Sequence, residues 1–174
     1  MKYLTTKKIL FIICGGVSAY KSLETIRLFK KNNAEIKTII TKSAKEFVTP
    51  LSIASLSQGK VYDDLFSLEN ETEMDHITLS RWADVIVVAP ATANTISKLS
   101  QGSSKDLAST VILASDKQIF LAPAMNVRMW EHPSTKENQS YFEVMADSRM
   151  TDMVAALIGP DVKLHHTKIN SKLP

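Results

Sequence analysis

Ala83-Asp84-Val85-Ile86-Val87-Val88-Ala89-Pro90-Ala91-Thr92-Ala93-Asn94-Thr95-Ile96 is the stretch whose reading decides the fold. It opens as a continuous apolar, β-branched run, the pattern of a strand buried on both faces. A strand of that kind belongs to a parallel sheet covered by helices. The run breaks at Pro90 and resumes at Thr92 with helical spacing through Ile96 and Leu99. In open parallel sheets ligands settle at the carboxyl ends of the strands, where the strand order reverses. Residues 90–94 are such a place. Their small side chains admit close backbone approach, and Thr92, Asn94 and Thr95 offer hydrogen-bonding groups.

Toward the N-terminus, residues 8–13 predict another apolar strand, which Cys14-Gly15-Gly16-Val17-Ser18 turns into a helix. Leu23 and Ile26 give that helix an apolar edge, and Arg27 and Lys30 a cationic one, as an outer layer requires. Asn32-Asn33 ends it and residues 35–41 predict a second strand, so the chain opens as a βαβ unit. A glycine turn at a helix N-terminus presents free N–H groups to a phosphate. Two glycines without the full dinucleotide fingerprint fit a plain tight turn equally. The second strand leads into Thr41-Lys42-Ser43-Ala44. A hydroxyl there either caps the next helix or joins the first turn's donors at the same sheet edge.

Residues 50–59 read as helix, 60–70 as irregular and 69–75 as an acidic surface loop. His76 stands just before the alternating apolar pair Ile77 and Leu79. It is either an ordinary surface or core histidine, or a proton-transfer group suited to neutral pH. Beyond the central stretch, helices are expected from Ile96 and over 107–114, separated by Gly102, with Asp106 capping the second. A strand over 118–122 closes on Pro123-Ala124-Met125-Asn126, an echo of Ala89-Pro90-Ala91, and residues 133–141 read as a helix. The fold expected is α/β: a doubly wound, Rossmann-like or flavodoxin-like parallel sheet in three layers. It forms a single domain over 1–174, with 158–174 as a C-terminal tail.

With 174 residues, 44% of them hydrophobic, the chain can bury one sizeable core. Its net charge of +3 is spread over scattered lysines, without the basic, aromatic-interleaved stripe of a nucleic-acid binder. The single cysteine excludes an internal disulfide framework and a zinc cluster, so no metal is expected. Lys7-Lys8 precedes too short an apolar run for a secretory leader, and nothing approaches the ~20 apolar residues of a membrane span. A soluble, cytoplasmic protein that meets neither membrane nor nucleic acid is expected. His165-His166 fits a solvated tail or a metal pair.

Four motifs stand out together. They are Gly15-Gly16-Val17-Ser18-Ala19-Tyr20-Lys21, Asp75-His76-Ile77-Thr78-Leu79, Ala89-Pro90-Ala91-Thr92-Ala93-Asn94-Thr95, and Pro123-Ala124-Met125-Asn126-Val127-Arg128-Met129-Trp130. The last, followed by His132-Pro133 and Asn138, is the most specific. On these motifs, over residues 7–138, the chain resembles the flavin-containing cysteine decarboxylases, which include phosphopantothenoylcysteine decarboxylases of coenzyme A synthesis and lanthipeptide decarboxylases. The resemblance implies FMN bound by the sheet at a subunit interface of a homo-oligomer, a trimer or a dodecamer built of trimers. It implies that Gly16, Ser18 and Ser43 hold the phosphate, and that Ala89, Thr92, Asn94 and Ser109 line the flavin. His76 resembles the family's active-site base, Asn126 the residue that fixes the substrate carboxylate, and Met129 a residue shaping that pocket.

The implied reaction is FMN-dependent decarboxylation of phosphopantothenoylcysteine to phosphopantetheine. A cysteine carboxylate cannot simply lose CO₂, because the carbanion left behind has nowhere to delocalise. Oxidation at the carbon bearing sulfur gives a thioaldehyde whose double bond accepts those electrons, and the redox step belongs to the cofactor. Two alternatives stay open: oxidative decarboxylation of a C-terminal peptidyl cysteine, and a non-catalytic FMN-binding regulatory subunit, against which His76 and Asn126 argue. One departure bears on the choice. The coenzyme A branch carries a cysteine in a mobile segment, where this chain has Val144-Met145-Ala146-Asp147-Ser148-Arg149-Met150. Cys14 is expected to pack in the core and cannot replace it.

Overall fold

The computed structural model describes residues 6–63 and 75–143. The segment over 64–74, the joined segment over 144–150, the tail and His165-His166 lie outside the described residues. Five strands form one parallel sheet: β1 (Lys8–Ile13), β2 (Glu35–Ile40), β3 (Val61–Tyr62), β4 (Val85–Ala91) and β5 (Gln118–Pro123). Their order is β3-β2-β1-β4-β5. The chain therefore builds outward from β1 to β3, returns, and lays β4 on the other side of β1. That reversal puts the topological switch point between β1 and β4.

The two faces of the sheet follow from side-chain alternation along the strands. Ile9, Phe11 and Ile13 of β1, Ile36 and Ile40 of β2, and Val87 and Ala89 of β4 point one way. They are covered by α1 (Ala19–Lys31) through Ile26 and Phe29, and by α2 (Pro50–Ser57) through Ile53. Leu10, Ile12, Cys14, Ile39, Ile86 and Val88 point the other way. Leu79 of α3 (Asp75–Trp82), Ile96 and Leu99 of α4 (Ala93–Ser100), and Val111 and Ile112 of α5 (Leu107–Leu113) cover them. Helices on both faces make the three layers. Lys8 N donates to Asp84 Oδ2 (2.9 Å) and Asp84 N to the Lys8 carbonyl (2.8 Å), which ties the starts of β1 and β4 together.

Several sequence expectations need correction. The central strand does not break at Pro90 but continues to Ala91. Its register against β5 shifts between Val88 and Ala91, so the proline's missing N–H falls where the ladder is already irregular. The helix after it starts at Ala93, just past Thr92 where the helical spacing resumes and a turn before Ile96, because Thr92 caps it: Thr95 N donates to Thr92 Oγ1 at 3.3 Å. Asp75 and His76 are helical, in the first turn of α3, rather than part of a loop and an alternating segment. Residues 61–62, read as irregular, pair with β2. Thr41 makes no side-chain cap. Residues 42–46 form a 3₁₀ turn that Ala44 N closes onto the Thr41 carbonyl at 2.9 Å. Among the described residues two helices follow β5: the unforeseen α6 (Val127–Glu131) and the expected α7 (Pro133–Glu143), which is tied to α4 by Ser100 Oγ donating to Asn138 Oδ1 (2.7 Å).

Candidate active site

Three turns leave the carboxyl ends of β1, β2 and β4, and the structure brings them into contact. A Cβ built on Gly15 would lie 2.4 Å from Ser43 Oγ and 2.7 Å from the Ser43 backbone carbon. No side chain fits there; only glycine lets the first and second turns close on each other. A Cβ on Gly16 would meet the Thr92 methyl at 3.8 Å, ordinary contact distance, so the first turn also borders the turn after β4. Gly16, Ser43 and Thr92, expected at one site from sequence, therefore share one rim.

The chemistry of that rim is donor-rich and unsaturated. Ser18 precedes α1 without a side-chain cap, and the earliest bonds at the helix start are Ala19 N to the Gly16 carbonyl (2.9 Å) and Lys21 N to that of Ser18 (3.0 Å). The amides ahead of them are the orphan donors of a 13-residue helix, which favour an anion. Ser43 is exposed, and its hydroxyl lies 3.4 Å from Thr41 Oγ1. Free amides at a helix start beside an exposed hydroxyl are the donor set that suits a phosphate. Asn94, in the first turn of α4, is exposed. Ala89 is buried, and its carbonyl accepts from Ser22 Oγ at 2.7 Å, a bond that pins α1 to β4 directly below the site.

Ser109 stands apart. It is buried; its N–H donates to Asp106 Oδ1 (2.8 Å) and its Oγ accepts from Asp106 N (3.3 Å), the capping box of α5, and its hydroxyl also reaches Asp106 Oδ1 (2.8 Å). Lys98 Nζ reaches Asp106 Oδ2 at 2.7 Å, bracing α4 against α5. Burial pulls the Asp106 carboxyl upward, but the Lys98 ammonium and the Ser109 bonds outweigh it and hold the group below its ordinary value. Cys14, at the end of β1, lies among Thr95, Asp106 and Lys98. Burial pushes its thiol up to about 11, so it is a neutral packing residue at physiological pH.

Beyond β5 the chain is anchored to the rim, Ala124 N donating to the Ala91 carbonyl at 3.0 Å. Asn126 follows, and its Oδ1 accepts from Met129 N at 2.8 Å to cap α6. That bond orients the amide and leaves both Nδ2 protons for a ligand. Asn126, Arg128, His132 and Thr135, with Val127 and Met129, line an open cleft of about 560 Å³, within the range of small-molecule sites. Gly15, Arg128, His132 and Thr135 had no sequence role. The first needs the β1–β2 contact to be seen, and Arg128 needs the cleft that α6 and α7 form.

His76 is half-buried and has no hydrogen-bond or ion-pair partner among the described residues. A helix that feeds a parallel strand runs back along the sheet, so the first turn of α3 lies toward the carboxyl edge where the other residues gather. The fold thus brings His76 to the same end of the sheet as the three turns.

The flavoprotein family model matches residues 2–167. The chain belongs to the flavoprotein family. Within it, this flavoprotein is 43% identical over 138 residues to the coenzyme A biosynthesis bifunctional protein CoaBC of Vibrio vulnificus, an alignment covering 79% of this chain and 34% of that protein. The chain thus spans about a third of the length of the curated relatives it matches. Among solved structures, a C175S mutant of PPC decarboxylase complexed with pantothenoylaminoethenethiol is 31% identical, with a TM-score of 0.69 over 80% of this chain and 79% of that one. The FMN-dependent cysteine decarboxylase SpaF is 28% identical, with a TM-score of 0.72 over 81% of each chain.

Proposed function

We propose that this flavoprotein is an FMN-dependent decarboxylase that converts phosphopantothenoylcysteine to phosphopantetheine, acting in the cytoplasm as a homo-oligomer of trimeric type. The observation that carries the reading is the convergence of the three turns, Gly15 against Ser43 and Gly16 against Thr92, on one rim that offers donors to a terminal phosphate. The choice of substrate is supported by relatives named for coenzyme A biosynthesis.

In this reading Gly16, Ser18 and Ser43 hold the FMN phosphate, and Ala89, Thr92, Asn94 and the segment around Ser109 face the flavin. Bound FMN supplies a two-electron acceptor for the carbon that bears the substrate sulfur. The chain supplies position and protons. Asn126 donates through Nδ2 to the substrate carboxylate. A neutral amide orients that group without the full positive charge that would resist its departure as CO₂. Met129, half-exposed beside Asn126, limits the space for the thiol-bearing carbon. His76 takes the thiol proton.

One observation favours a second reading. Cys14 is the sole cysteine of the chain, buried and held neutral, so no thiol among these residues is free to assist reduction of an enethiol. An enzyme that stops at that oxidised product, as a peptidyl-cysteine decarboxylase does, needs none.

The cofactor assignment is tested on the purified protein. It should be yellow, and heat or acid should release FMN and not FAD, because the rim accepts a terminal phosphate. A colourless protein that takes up no FMN on reconstitution would overturn the proposal.

A further inference from the structure

The cleft beside Asn126 carries more positive charge than the carboxylate alone calls for. Its lining residues are Asn126, Val127, Arg128, Met129, His132 and Thr135, with no carboxylate among them. Arg128 is exposed and has no ion pair or hydrogen bond among the described residues; the nearby acid of the same helix, Glu131, does not line the cleft. His132 Nδ1 accepts from Ser134 N at 3.3 Å. That bond puts the ring proton of the neutral imidazole on Nε2, which is then a donor. Val127 and Met129, 62% and 45% exposed, supply an apolar wall between these donors.

A guanidinium presents a rigid fork of N–H donors matched to phosphate. We propose that Arg128, assisted by His132, binds the terminal phosphate of the substrate, in the cleft where Asn126 holds its carboxylate. This rests on the function proposed above and adds the residues that select a phosphorylated substrate. The division of labour follows from the chemistry. The carboxylate leaves during the reaction, so it is held by a neutral amide. The phosphate takes no part in bond breaking, so a full cation there strengthens binding without opposing the step. The flexible chain between the two ends lies against Val127 and Met129.

The test compares kcat/KM of the FMN-loaded protein on phosphopantothenoylcysteine and on pantothenoylcysteine, which lacks the phosphate. The wild type should prefer the phosphorylated substrate by about ten- to a hundred-fold, the scale of a charge-assisted contact. R128Q should lose most of that preference through KM, R128K should recover part of it, and H132F should show a smaller loss. Flavin content and visible spectrum report that each variant is folded and loaded. A wild type indifferent to the phosphate, or an R128Q preference equal to that of the wild type, would overturn the inference while leaving the decarboxylase reading intact. Turnover of neither substrate by the wild type would remove that reading, and this inference with it.

Discussion

The side-chain amide of Asn126 has two ends, and the fold uses only one. Oδ1 caps α6 through Met129 N, which fixes the amide, and Nδ2 is left beside the cleft without a protein partner among the described residues. This makes Asn126→Asp a clean substitution. Asp is as good an N-cap as Asn, so α6 should stay in place. If Asn126 meets the substrate carboxylate as proposed, the group facing it changes from donor to anion, and two unpaired carboxylates facing each other cost more than one lost hydrogen bond. CO₂ release should fall by at least about 100-fold with the flavin spectrum unchanged. His76→Asn, which removes a proton acceptor at the edge of the same site, should fall by about 10²-fold in the same assay. Normal CO₂ release from Asn126→Asp would reduce Asn126 to a helix cap. Normal release from His76→Asn would return His76 to the surface.

At the scale of elements, the base of the site depends on how α4 and α5 are capped. Asp106 closes the α5 capping box with Ser109 and anchors Lys98 of α4, one carboxylate serving two helices. Asp106→Ala should lower stability by about 1–2 kcal/mol, read as a shift in the denaturation midpoint. The pH dependence follows from the direction of the shift. The folded carboxyl is held below its unfolded value of 3.8, so its contribution is present above that pH and is lost as the pH falls through the folded value. Wild type and Asp106→Ala should therefore converge in stability in acid, below about pH 4. A gap that stayed constant well below that pH would contradict this role. The cap was legible in the sequence because Asp106 precedes an apolar run long enough to show its period. The helix α6 was not, since five residues make little more than one turn and show no period. The strand β3, two residues long, is defined only by its pairing with Thr38 and Ile39.

For the whole molecule, the doubly wound sheet could be read from its strands, because β1 and β4 are buried on both faces and their apolar runs say so. The ends of those strands gave the site, because glycines, hydroxyls and Asn126 gather there. What the sequence could not show is adjacency across the sheet. Gly15 touches Ser43 only because β2 lies beside β1, and Arg128 shares a cleft with His132 and Thr135 only because α6 packs on α7. Ala124 N on the Ala91 carbonyl joins the rim of glycines and hydroxyls to the segment that leads into α6. The account therefore stands on one reaction carried out at one edge of the sheet. Incubating the FMN-loaded protein with phosphopantothenoylcysteine and weighing the products by mass spectrometry tests it most directly. The account predicts a product lighter by one CO₂, as phosphopantetheine or, with no free thiol to assist reduction, as the enethiol two hydrogens lighter still. Unchanged substrate, from protein that carries its flavin, would contradict it.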